Sequence, residues 1–271
     1  MAPTRLVDDP LARHFLSPPL RAAAVLARVP FVGRAVPHAY DAVFPGPRPS
    51  AVARTKIIDD LIASAVQSGA GENLIILGAG YDSRAYRLRS LAGIRIVEID
   101  RAATQRAKRD ALRRAGEPID HVTFLALDFE RDDLSARLAD LHLRGSLCVL
   151  WEGVTNYLSA DAVDRTFRDV AGIARAGGEI VFTYVHRGVI DGSVQFPEAA
   201  RWSRSVRSAG EPWTFGFVPE QLSEYLRVRG FDLLGDTSTR SGGDPHFRAC
   251  GRREHGAELY RVAHAAIRCR G

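Results

Sequence analysis

The chain has 271 residues, 46% hydrophobic and 25% charged, long enough for one large α/β domain, or a domain with an insertion, around a full core. Its formal charge is +5 and its pI about 9.4, yet the arginines are scattered and no basic stripe is interleaved with stacking aromatics, so nucleic acid is not an expected partner. Cys148, Cys250 and Cys269 show neither C-x-x-C nor zinc spacing and read as reduced thiols in a cytoplasm, with no metal expected.

From the N-terminus, the apolar stretch Leu16 to Val36 is interrupted by Pro18, Pro19, Arg21, Arg28 and Pro30. It is too broken to span a membrane, and no signal peptide is visible. Residues 1–50 therefore read as short helices and turns packed on or over the domain, a possible lid. Next, Asn73 to Leu77 is an apolar run that breaks into Gly78-Ala79-Gly80. A strand followed by such a turn is where nucleotide-like cofactors commonly sit, because glycine lets the backbone turn sharply and approach a ligand closely.

Acidic residues then recur at the ends of apolar runs. Arg95–Asp100 ends in Asp100, 20 residues after Gly80; His121–Phe129 carries Asp128; Ser146–Gly153 carries Glu152. Helical patterns over about 82–92, 101–115 and 131–140 separate these runs. Parallel strands alternating with helices place their C-terminal ends along one crevice, so Gly-Ala-Gly, Asp100, Asp128 and Glu152 are expected to line a single cleft. Asp100 suits the ribose hydroxyls of a nucleoside. Asp128 suits the exocyclic amine of an adenine, with the Phe129 backbone or ring beside it. The third glycine of a G-x-G-x-x-G pyrophosphate bed is missing, Ser83 standing there. S-adenosylmethionine has a ribose and an adenine but no phosphate, and fits better than a nicotinamide dinucleotide. In the basic run Arg101–Arg114, Arg106, Arg109 and Arg113 at helical spacing read as a solvated face.

Further along, Ser159–Ala176 reads as a helix capped by Ser159 and stopped by Gly177-Gly178, and Glu179–Val185 as a fifth strand. Residues 187–217 break the rhythm with glycines, prolines, Phe196, Trp202, Trp213, Phe215 and Phe217; they suit a lid or acceptor pocket over the cleft, or local packing. Pro219–Arg229 reads as a helix begun by proline, Phe231–Asp236 as a strand, 237–256 as a Gly- and Arg-rich loop, and Leu259–Ile267 as a strand or a helix.

Four motifs resemble the leucine carboxyl methyltransferase family: Arg54–Leu61, Leu77–Leu88, Val97–Asp100 with Lys108-Arg109, and Glu152-Gly-Val-Thr-Asn-Tyr-Leu158; Asp8–Leu16 resembles its opening. The resemblance is firm over roughly 48–186. It implies a Rossmann-like class I methyltransferase fold: a mostly parallel seven-stranded sheet with helices on both faces, an N-terminal helical segment (1–50), and a methyltransferase domain (51–271) with a substrate-covering insertion at 187–217. It implies S-adenosyl-L-methionine as cofactor, S-adenosyl-L-homocysteine as product, and Arg54, Gly78, Ala79, Gly80, Asp100, Asp128, Phe129 and Glu152 as its binding residues. Arg54 is the candidate for the methionyl carboxylate, a guanidinium being able to grip it bidentately. Glu152 could take the methionyl ammonium or face the acceptor; the resemblance favours the cofactor side.

The expected activity is methyl transfer to an oxygen, hydroxyl or carboxylate, of a small-molecule acceptor of secondary metabolism, by a monomer or homodimer. A hydroxyl needs a general base, whereas a carboxylate is already ionised. Tyr184 and His186, leaving the fifth strand, are the catalytic candidates. The alternatives are C- or N-methylation, methylation of a peptide or protein C-terminal carboxylate, a non-catalytic binder on the same fold, and, more distantly, an NAD(P)-dependent oxidoreductase.

Overall fold

Strands β1 (Asn73–Leu77) and β4 (Leu147–Trp151) are buried at every residue, the mark of strands covered on both faces. They form the centre of a seven-stranded sheet of order β3-β2-β1-β4-β5-β7-β6, with β2 at Arg95–Asp100, β3 at Val122–Ala126, β5 at Gly178–Val185, β6 at Phe231–Ser238 and β7 at Tyr260–Ile267. β1 to β5 run parallel, while β7 inserts antiparallel between β5 and β6. Chain order reverses direction between β1 and β4, which places a crevice at their C-terminal ends. The computed structural model describes residues 5–17, 21, 24, 47–174, 177–208 and 210–269, so most of the expected 1–50 segment, including most of the apolar stretch Leu16 to Val36, lies outside the described residues.

Each face has its own core. On one, Ile57, Ile58, Ile62 and Ala65 of the helix Pro47–Gln67 cover Leu74, Ile76, Ile96, Cys148, Leu150 and Val181. On the other, the helix Ala160–Ile173 buries Phe167, whose ring meets Trp151, Phe182 and Phe231 edge-on at centroid separations of 5.3, 5.1 and 5.5 Å. Such tilted pairs add to the value of area burial alone. Among the described residues no helix is long and apolar enough to cross a membrane.

Local signals set many boundaries. Ser159 caps its helix by accepting from the Ala162 N–H, and Pro219 starts the helix Pro219–Arg227. The Leu259–Ile267 ambiguity resolves as the strand Tyr260–Ile267, paired along one edge with β5 and along the other with β6. Other expectations are corrected. The helix expected over 82–92 is only Arg84–Arg87 and a 3-10 turn at Arg89–Leu91. The run 237–256 is not all loop: Thr239–Ala249 is a helix, capped by Ser238 accepting from Ser241 N–H at 2.9 Å. Its Gly243 lies so close to Ala53 that a Cβ there would stand 2.4 Å from Ala53 Cβ. Those glycines permit helix–helix contact rather than a turn. Within 187–217 the structure has helices Gly188–Asp191 and Ala199–Ser208. In the basic run, Arg106 and Arg113 are exposed as expected, but Arg109 is half-buried, its guanidinium 5.1 Å from the Phe124 ring centroid. Neighbouring Lys108 turns inward to Glu98, its Nζ 2.6 Å from Oε2.

Candidate active site

Gly78 and Gly80 both adopt left-handed backbone conformations, φ +65° and +45°, which other residues reach only with strain. A Cβ on Gly78 would stand 2.3 Å from Val154 Cγ2, so the loop after β1 sits directly against the exit of β4. Ala79 N–H donates to Ile99 O, and Gly80 N–H to Asp100 Oδ2 at 2.5 Å; Asp100 Oδ1 accepts from Arg101 N–H. The aspartate ending β2 is thereby held beside the glycine loop, half-buried, with lone pairs left for a diol.

A cleft of about 380 Å³ opens at this point, its lining including Arg54, Gly78, Gly80, Arg84, Glu152 and Gly153. Its floor is a network of charges. Glu152 Oε1 accepts from Arg54 Nε and Oε2 from Arg84 Nη1, each at 2.5 Å. Arg84 also donates to Asp82 Oδ2 at 2.5 Å and to Asp59 Oδ1 at 2.7 Å, and Arg87 grips Asp59 bidentately at 2.7 and 2.9 Å. Burial works against a charged Glu152, but Arg84 and Arg54 outweigh it and hold its carboxyl down at about 2. Burial likewise opposes charge on Arg84, and Asp82, Glu152 and Asp59 outweigh it, so its pKa lies above the ordinary guanidinium value. Glu152 and Arg84 are therefore both charged at neutral pH.

The structure thus gathers Arg54, Gly78, Ala79, Gly80 and Glu152 in the lining of this cleft, whereas Asp100, though bonded to Gly80, and Asp128 are outside that lining, against the expectation of a single shared cleft. Asp128 lies just past the end of β3, 29% exposed, its Oδ1 accepting from Glu130 N–H at 3.1 Å and Arg101 Nε 3.7 Å from Oδ2. Phe129 contributes differently from the expected wall: its ring is buried in the core, 6.4 Å from Trp151. Neither Tyr184 nor His186 lines the cleft. Tyr184 is fully buried, its hydroxyl donating to Asp236 Oδ2 at 2.8 Å and accepting from Arg261 Nε at 3.0 Å. His186 is half-buried against Phe196, with Nδ1 accepting from Gly188 N–H at 3.0 Å. Burial lowers its pKa against the pull of Glu220, so the ring is neutral and the engaged Nδ1 puts its proton on Nε2.

Sequence reasoning named no role for Arg84, Asp59, Asp9 or Tyr260. Arg84 lies inside the Leu77–Leu88 motif, where its only signal is a charged residue directly after the glycine turn. Asp9 Oδ2 accepts from Ser83 Oγ at 2.7 Å and lines the cleft. Tyr260 offered no signal, being one residue in a run with no motif.

The profile of the leucine carboxyl methyltransferase family matches residues 1–171. The chain is 34% identical over 188 residues, 66% of its length, to a protein of Streptomyces avermitilis and 36% identical over 198 residues, 72% of its length, to one of Mycobacterium avium. Both relatives are provisionally named S-adenosyl-L-methionine-dependent methyltransferases. The matches cover 65% and 56% of those relatives, so the chain spans less than two thirds of their length. In fold it resembles a crystal structure of a provisionally named methyltransferase from Thermobifida fusca, with TM-score 0.58, 17% identity and 88% of each chain covered. It also resembles an O-methyltransferase family protein from Burkholderia thailandensis, with TM-score 0.54, 15% identity, and 82% of this chain and 59% of that one covered. With that profile matched over residues 1–171 and a relative 36% identical over 72% of its length, the chain belongs to the leucine carboxyl methyltransferase family.

Proposed function

We propose that the chain binds S-adenosylmethionine in this cleft and transfers its methyl group to an oxygen of a small-molecule acceptor of secondary metabolism, in the cytoplasm. The observation that carries the cofactor reading is the donor set: a guanidinium–carboxylate pair, Arg54 and Glu152, in the cleft lining, and the Asp100 carboxylate bonded to the glycine loop that lines the same cleft. A zwitterionic amino acid matches the first, its carboxylate taken by Arg54 and its ammonium by Glu152. A ribose diol matches the second.

A dinucleotide matches less well. The helix after the glycine loop is only four residues long, so it presents little dipole to a pyrophosphate. The carboxylates of Asp9 and Asp82 also line the space where those phosphates would lie.

S-adenosylmethionine, when bound, supplies a methyl already activated by its sulfonium. The chain's task is then alignment and exclusion of water, which in favourable cases lowers a barrier by about 7–11 kcal/mol. Asp100 orients the ribose, Asp128 the adenine edge, and Arg54 with Glu152 the amino-acid end. The aromatic insertion at 187–217 covers the acceptor side, Trp202 and Trp213 packing edge-on at 5.7 Å. Oxygen is favoured as the methylated atom by the family. A carboxylate acceptor needs no base, which suits a cleft whose Glu152 is committed to arginines and whose nearest histidine candidate, His186, has Nδ1 engaged.

The test is isotope-labelled S-adenosylmethionine incubated with the full chain and a panel of hydroxyl, carboxyl, amine and carbon-acid metabolites. Mass spectrometry of the products locates the methyl. Labelled product bearing the methyl on oxygen supports the reading; methyl on nitrogen or carbon only, or binding of NAD(P)H in place of S-adenosylhomocysteine, overturns it.

A further inference from the structure

Tyr260, the first residue of β7, lies outside every motif and outside the segment that the family profile matches. It is 4% exposed and touches three parts of the site at once. The Arg54 guanidinium carbon stands 5.1 Å from its ring centroid. Trp202, from the helix Ala199–Ser208 of the insertion, stacks on it at 5.6 Å with the planes 10° apart. Its hydroxyl lies 3.4 Å from Thr183 Oγ1, the atom that accepts the Gly153 N–H at 2.8 Å, and Gly153 lines the cleft.

Arg54 needs such a brace. It shares the Glu152 carboxylate with Arg84, a second cation whose charge opposes its own. Its described hydrogen bond runs from Nε alone, which fixes one edge of the guanidinium and leaves rotation of the side chain to be settled by packing. An aromatic face supplies that packing and an attraction of the right sign, since the ring quadrupole presents negative charge to a cation. The face is itself held, by the Trp202 stack and by the contact with Thr183.

We propose that Tyr260 is a positioning residue for Arg54, holding the guanidinium with its terminal nitrogens toward the carboxylate of the cofactor's amino-acid end. Trp202 clamps Tyr260 in turn. The acceptor-side insertion is thereby joined through one ring to the grip on the cofactor. The proposal rests on reading the cleft as an S-adenosylmethionine site, and it concerns only the amino-acid end of that ligand.

The experiment is calorimetric titration of the full chain with S-adenosylhomocysteine and with 5′-methylthioadenosine, which keeps the adenosine and lacks the amino acid. Tyr260→Leu is expected to weaken S-adenosylhomocysteine about fivefold to thirtyfold, the size of one desolvated cation–π contact, and to leave 5′-methylthioadenosine unchanged. Tyr260→Phe, which keeps the ring, stays within about twofold of wild type for both. In an Arg54→Gln background, Tyr260→Leu costs nothing further, as coupled residues require.

Unchanged affinity in Tyr260→Leu, an equal loss for both ligands, or additive effects with Arg54→Gln overturns the proposal. Should Tyr260→Leu fail to fold, Trp202→Leu takes its place at a half-buried position. It is expected to weaken S-adenosylhomocysteine alone, and no change overturns the clamp and the positioning role together. A wild-type chain that binds neither compound sinks the cofactor reading and this proposal with it, whereas selective failure of the variants sinks the proposal only.

Discussion

Arg84 and Glu152, 68 residues apart in the chain, meet at 2.5 Å between Nη1 and Oε2, joining the loop after β1 to the exit of β4. Arg84 is 4% exposed and Glu152 14% exposed, and Arg54 takes the carboxylate's other oxygen. Removing one partner of a buried pair leaves an uncompensated charge, which costs about 3–5 kcal/mol, more than the pair itself is worth. The cleft's floor is therefore a fold element as well as the proposed seat of the amino-acid end of the cofactor.

Glu152→Gln is expected to lower stability at pH 7 and to weaken S-adenosylhomocysteine more than 5′-methylthioadenosine. The pH dependence follows from the sign of the shift. Glu152 has its carboxyl at about 2 in the folded chain against an ordinary 4.5, so its contribution is fully present above about 4.5. It is lost as pH falls from there toward 2. The difference corresponds to stabilisation on the order of 3 kcal/mol. Urea midpoints of wild type and Glu152→Gln should differ by a constant amount from pH 7 down to about 5 and converge below. A gap that widens on acidification contradicts the assignment.

Asp100 separates ribose recognition from loop support. In Asp100→Asn the amide oxygen can still accept the Gly80 N–H, so the glycine loop keeps its shape while the charge is lost. Affinity for S-adenosylhomocysteine should fall about tenfold to a hundredfold, the value of a charge-assisted hydrogen bond. Asp100→Ala removes both functions and should abolish binding in calorimetry. Equal affinity in both variants and wild type contradicts the ribose role.

How far the sequence alone reached follows from which interactions are local. The glycine loop and the strand-end positions of Asp100 and Glu152 are legible because each is set by its own strand, and parallel strands carry such ends to one edge of the sheet without further information. The capping serine at Ser159 and the proline at Pro219 were visible for the same reason. What escaped depends on contacts across long separations. Phe129 was expected beside the adenine through its backbone or its ring, and burial against Trp151 claims the ring, leaving the backbone for that place. Arg84 and Asp59 meet only once the helix Pro47–Gln67 is packed on the sheet. Tyr260 acquires its neighbours from the insertion and from Arg54, more than 200 residues earlier. Tyr184 reads as a strand-end hydroxyl, yet Arg261 on the adjacent β7 and Asp236 on β6 beyond it bind it away from the cleft.

His186→Ala distinguishes the acceptor's chemistry. The imidazole does not line the cofactor cleft, so affinity for S-adenosylhomocysteine should stay within about twofold of wild type, as for a substitution away from the ligand. With a carboxylate acceptor turnover should also hold. With a hydroxyl acceptor that relies on this base, turnover should fall about a hundredfold or more, and the pH–rate profile should lose its acidic limb. That limb would lie below the ordinary histidine range, because burial lowers the pKa of this ring. Single-turnover rates across pH for both proteins decide between the two.

Two helical glycines should respond to alanine with opposite signs. Gly172, in Ala160–Ile173, has nothing within 4 Å of where a Cβ would stand. Gly172→Ala should therefore stabilise by up to about 1 kcal/mol, through helix propensity and a less free unfolded chain. Gly243, in Thr239–Ala249, would place its new Cβ 2.4 Å from Ala53 Cβ. The overlap forces the two helices apart, and overpacking of this kind costs about 1–3 kcal/mol, more than the propensity gain returns. Because Ala53 adjoins Arg54 on the helix Pro47–Gln67, the same shift should displace the guanidinium from Glu152 and weaken S-adenosylhomocysteine relative to 5′-methylthioadenosine. Chemical denaturation of the two variants gives the stabilities, and paired titrations give the affinities. A stabilising Gly243→Ala would mean that these helices do not pack at the closeness on which the position of Arg54 depends.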